Sequence, residues 1–189
     1  MTTQAAPSPV AAPWWHPIVR HWPALAGLTV AVALLVTGAA NLAGVAITAP
    51  AAAFCFLAAA ALGRRWVAWP AILGATAVVV AGRLLGLPWW AGLAIAAGAL
   101  VIYGLLRGAP RPALDAQALA QVTFIATGIL AFSLAPRAGA LLAGLALASH
   151  AVWDAIHYRR DIVVPRSLAE ACMFLDVPLG LGFIAIALS

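Results

Sequence analysis

Three side chains near the end of this 189-residue chain share one helical arc. His150, Asp154 and His157 stand at i, i+4 and i+7, which at about 100° per residue places them within roughly 60° of one another. A following segment adds Glu170 and Asp176. Three chemistries fit these types. His150, Asp154, His157 and Glu170 can complete a four-ligand shell for a divalent metal, Zn or Fe, with donors one turn apart on one helix and the rest from a facing helix. The same groups without a metal can move protons, with His150 or His157 as base, Asp154 fixing an imidazole's tautomer, and Asp176 as acid. Polar groups on facing helices also simply hydrogen-bond and fix packing. Glu170 and Asp176 are about 120° apart on their own helix, so they do not both point at the His150 stripe.

Neighbouring residues supply candidate binding groups. Trp153 lies about 60° from the stripe and can wall a substrate cavity, and Gln121 is the cavity-lining candidate of the preceding helix. Arg166, one turn before Glu170, can pair with that carboxylate or hold a lipid phosphate. Asp115 fits a helix first turn, where the dipole favours an acid. Asp161, among Arg159, Arg160 and Arg166, reads as a surface ion-pair partner. Pro178 leaves the Phe174 carbonyl without its helical donor near Asp176.

The elements that carry these residues follow from composition. The chain is 66% hydrophobic and 8% charged, with a mean hydropathy of +1.06, whereas a soluble domain is about a quarter charged. It reads as an all-α polytopic membrane protein, and its polar surface is too small for nucleic-acid binding despite a net charge of +5. All ten cations are arginine, so chemistry through a lysine Schiff base is excluded. Cys55 and Cys172 sit in apolar runs and read as small buried hydrophobes.

Residues 1–21 read as a loose tail ending in an interfacial anchor of Trp14, Trp15 and Trp22, and 22–189 as a single transmembrane bundle. Seven spans are expected, at 23–41, 44–62, 66–82, 89–107, 114–134, 138–158 and 164–188. Six is the alternative count, because the first turn falls either near Asn41 to Gly44 or near Pro50. Seven helices put eight arginines on the N-terminal side and only Arg83 and Arg137 on the other, which predicts a cytoplasmic N-terminus. An Arg-Arg-to-Pro spacing shared by 64–70 and 159–165 hints at two three-helix units joined by the fourth helix.

The segment from His150 through Trp153, Asp154 and His157, continued by Arg166, Glu170, Cys172 and Asp176, resembles the C-terminal hairpin of a family of small bacterial polytopic membrane proteins without an assigned reaction. The resemblance implies a bacterial membrane protein, and the reading of the residues expects a multi-pass protein of the inner membrane. From the residues, the expected activity is that of a membrane enzyme acting on a lipid or isoprenoid-like substrate by metal-assisted or acid/base chemistry, with membrane lipids as its surroundings. A small proton- or metal-coupled transporter and a non-catalytic accessory subunit are the alternatives.

Overall fold

Long apolar runs with few charges leave the backbone one way to satisfy its polar groups inside a membrane, and that is the helix. The structure, a computed structural model, describes residues 21–189. Among these are seven helices and no strand: α1 (Trp22–Val36), α2 (Leu42–Leu62), α3 (Ala68–Leu84), α4 (Trp89–Leu106), α5 (Arg111–Ser133), α6 (Pro136–Arg160) and α7 (Arg166–Leu188). A short 3-10 turn, Arg65–Val67, leads into α3. Six of the helices are long and apolar enough to cross a membrane, so the chain is a multi-pass membrane protein. The expected anchor residues Trp14 and Trp15 lie outside the described residues.

The first expected span, 23–41, is shorter than its sequence suggests. Gly38 adopts a left-handed φ of 69° and ends α1 just after Val36, and the Asn41 side chain then accepts from the Gly44 amide at 2.9 Å to cap α2. At 15 residues, α1 is about 22 Å long, less than the ~30 Å hydrocarbon core. Pro50, the alternative break, lies inside α2. The Ala46 carbonyl it leaves without a helical donor is approached by Gly128 of α5, where a Cβ would come within 3.0 Å of that oxygen.

α2 is the hub. It is rich in alanine and buried along most of its length, and its small side chains let α3, α4, α5 and α6 pack around it. α6 and α7 form the closest hairpin, and α1 lies against the outer side of α7. Close approach is built from glycine: a Cβ on Gly144 would meet the Gly180 carbonyl oxygen at 2.9 Å, and one on Gly27 would run into that of Ala171. Helix hydroxyls bond back to their own chain, as Thr48 does to the Gly44 carbonyl and Thr127 to that of Thr123, both at 2.8 Å.

The turns α2/α3, α4/α5 and α6/α7 share one end of the bundle and carry Arg64, Arg65, Arg107, Arg111, Arg159, Arg160 and Arg166; Arg83 and Arg137 lie at the other. Asp161 ties two of these turns together, since it pairs with Arg65 and, at 3.4 Å, with Arg166. The Arg65 guanidinium also bonds the Val164 carbonyl, at 3.0 Å from Nη2. The hydrogen bond that Arg65 donates to the Asp161 carboxylate, with the nearby charges of Arg65 and Arg166, holds that carboxyl below the usual carboxylate range.

Candidate functional site

α6 presents its polar arc inward. His150 and Asp154 are 0% exposed and His157 3%, as their spacing on one face requires. α7 faces them with Asp176, also 0% exposed. The hairpin register brings Asp176 to His150: Nδ1 of the imidazole is 2.9 Å from one Asp176 carboxylate oxygen and 3.2 Å from an Asp154 oxygen. One donor atom from each of His150, Asp154 and Asp176 lies within 4.8 Å of the others. His150 is ten residues from the end of α6, about 15 Å into the bundle and close to the middle of a bilayer.

This cluster is under-bonded. Both oxygens of Asp154, the second oxygen of Asp176 and Nε2 of His150 have no hydrogen-bond partner among the described residues. Aromatic rings close around the imidazole, with Phe56 of α2 nearly perpendicular at 5.6 Å and Phe124 of α5 at 5.0 Å between centroids. The arginine ion pairs lie at the bundle end, to Asp161 and Asp115.

His157 belongs to a different construction. Its Nδ1 is 2.8 Å from the Trp153 carbonyl, which only accepts, so Nδ1 carries the proton and Nε2 is an acceptor. Nε2 accepts from the Gln117 amide at 3.0 Å, and the Gln117 carbonyl accepts from the Trp153 indole N–H at 3.0 Å. Trp153, Gln117 and His157 thus close a ring of three hydrogen bonds, and the donor-only indole fixes which way the amide points. Phe56 packs across His157 at 4.9 Å as well as across His150, and so stands between the ring and the carboxylate cluster.

A cavity of about 650 Å³ opens at the arginine-rich end and ends on this ring. Arg64, Arg65 and Arg160 stand among its lining residues, with alanines of α2 and α5 and Ile156 as apolar wall and Trp153, Gln117 and His157 as polar floor.

Two of the four expected metal ligands are therefore placed elsewhere. His157 has both ring nitrogens engaged in the hydrogen-bond ring. Glu170 points away from α6, as its 120° offset from Asp176 requires, and meets Nδ1 of His21 at 2.9 Å. Asp176 takes the place beside His150 and Asp154. Gln121 is one turn deeper than the cavity and 1% exposed, with both polar atoms unpartnered, and Gln117 lines the cavity in its stead. Arg166 pairs with Asp161 rather than Glu170 and donates to the Tyr158 carbonyl at 3.2 Å. Trp153 does wall the cavity. The Gln117 role was readable only in part: Gln117 and Gln121 share a face at i, i+4, but which of them meets the cavity depends on the α5/α6 register.

No family model, no curated protein and no solved structure matches the chain.

Proposed function

We propose that this protein is a bacterial inner-membrane enzyme that admits a lipophilic substrate with an anionic head from the cytoplasmic side. The observation that carries this reading is the cavity itself, with arginines at one end, apolar walls, and at its floor a histidine whose tautomer is fixed. The arginines favour a phosphate or carboxylate head, and the alanine and isoleucine walls take an acyl or isoprenoid chain. The arginine bias supports a cytoplasmic orientation for this end.

In this reading His157 is the general base. Its Nε2 lone pair is turned toward α5 and holds the Gln117 amide; a substrate hydroxyl that replaces that amide donates to the same lone pair. The Trp153 carbonyl keeps the Nδ1 proton in place while Nε2 accepts. His150, Asp154 and Asp176 lie deeper on the same helices and support the site through α6. Arg166 and Glu170 lie outside the cavity lining and take no part in this reading.

Lipid analysis of the parent cell, a deletion strain, and the deletion strain carrying wild type or His157→Gln tests the proposal. Accumulation of one lipid in the deletion, relieved by wild type and not by His157→Gln, is the expected result. An unchanged lipid profile in the deletion would sink it. Asp176, a protonatable group near the bilayer middle, favours a second reading, a proton- or metal-coupled transporter, which requires a water path to this buried carboxylate and predicts uptake by proteoliposomes that Asp176→Asn abolishes.

A further inference from the structure

Two carboxylates and an imidazole buried together, beyond reach of any arginine pair seen at the bundle end, carry a formal charge of −2 when the imidazole is neutral. Isolated charge in a low-dielectric interior is compensated by a partner, a proton or a metal. The donor geometry here suits a metal. His150 Nδ1 stands 2.9 and 3.2 Å from oxygens of Asp176 and Asp154, close to the ~3.3 Å ligand-to-ligand edge of a tetrahedron with bonds of about 2.0 to 2.1 Å. Asp154 is the second observation: it is wholly buried, aimed into the cluster, and neither of its oxygens has a hydrogen-bond partner.

We propose that His150, Asp154 and Asp176 bind one divalent first-row metal ion through one imidazole nitrogen and two carboxylate oxygens. Its two charges neutralise the two carboxylates and make the cluster electrically balanced without a proton on either. Coordination through Nδ1 leaves the proton on Nε2, which faces no acceptor and sits among the Phe56 and Phe124 rings. Gln121 adds a neutral group at the same level. The contacts of Gln117 with His157 and of Phe124 with His150 set the α5/α6 register, and that register places the unpartnered Gln121 carboxamide at the depth of Asp154. The assignment does not depend on turnover of a lipid. A metal-free protein that alters the lipid profile would overturn the ion and leave the enzyme standing, and the reverse result would do the opposite.

The experiment is metal analysis of the purified full-length protein, as isolated and after reconstitution separately with Zn(II), Fe(II) and Mn(II). About one ion per chain is expected in wild type and in His157→Gln and Glu170→Gln, falling at least tenfold in Asp154→Asn and Asp176→Asn. X-ray absorption of the wild type supplies a readout that no variant's folding can confuse, with N/O ligation containing a single imidazole expected. Two or more imidazoles, or a sulfur ligand, would overturn the assignment. So would a wild-type protein that takes up less than a tenth of an equivalent of every ion tested.

Discussion

Nδ1 of His150 and the carboxylate of Asp176 meet at 2.9 Å across α6 and α7, joining positions 26 residues apart. Neither group is exposed, so removing His150 strands Asp176, and removing Asp176 leaves His150 only Asp154, at 3.2 Å. His150→Ala and Asp176→Ala are each expected to destabilise the protein by about 3 to 5 kcal/mol, the usual range for breaking a buried pair. The double replacement by leucine is expected to do less harm than the sum of the single changes. Denaturant unfolding in detergent, read as a double-mutant cycle, checks both; strict additivity would mean that the pair is not coupled.

The same hairpin depends on backbone contact four residues beyond Asp176. A Cβ on Gly180 would lie 2.8 Å from the Gly144 carbonyl oxygen, so Gly180→Val forces α6 and α7 apart. A loss of roughly 1 to 3 kcal/mol is expected from such overpacking, together with weaker coupling between His150 and Asp176 in the cycle above. Gly98→Ala, inside α4 where a Cβ meets nothing within 4 Å, is the control and is expected to cause no loss, with a gain of up to about 1 kcal/mol from helix propensity.

Acid sensitivity is expected at the α6/α7 turn. The Asp161 carboxyl is held below its ordinary value mainly by the hydrogen bond from Arg65, so the folded form binds its proton less readily than the unfolded chain. Its stabilising effect is full above the unfolded value of about 3.9 and fades as pH falls through the lower folded value. Melting curves of wild type and Asp161→Asn should therefore differ by a constant amount at pH 5 to 7 and converge below pH 4. Asparagine keeps the left-handed backbone, φ 52°, that this position adopts, so the comparison isolates the charge.

Gln117 holds two partners at once. Gln117→Leu leaves the Trp153 indole N–H and His157 Nε2 without their bonds inside the bundle, and a loss of about 1 to 3 kcal/mol is expected. Trp153→Phe keeps an aromatic ring beside His157 and leaves the Gln117-to-His157 bond in place, so it should cost less. Thermal unfolding of the two variants orders them; equal stability to wild type in both would dissolve the ring as a structural unit.

Helix existence and the inward arc of α6 were legible because they depend on local periodicity alone. His150 and Asp154 had to share a face, and Glu170 had to miss the face that Asp176 uses. What sequence could not supply was register between helices. Whether His157 met a carboxylate or an amide turned on how far α5 had slid along α6, which no single-helix pattern records. The pairing of Arg65 with Asp161 spans 96 positions and follows from two turns sharing one end of the bundle. α1 ended early because the left-handed turn at Gly38 intervened within an apolar run whose composition gave no boundary.

The shortness of α1 also shapes the surrounding lipid. Its first residues meet α7 at Glu170 through His21, one turn inside that helix, and Leu35 packs on Gly182, six residues before α7 ends. Among the described residues, α1 therefore covers only part of α7, and past Leu35 it is recessed by about 9 Å from the end of that helix at 1.5 Å per residue. Acyl chains along that flank face a hydrophobic belt thinner than on the rest of the bundle, and the bilayer there must thin or bend to meet it. Membrane thickness thus acts as a mechanical load on the helix that carries Asp176.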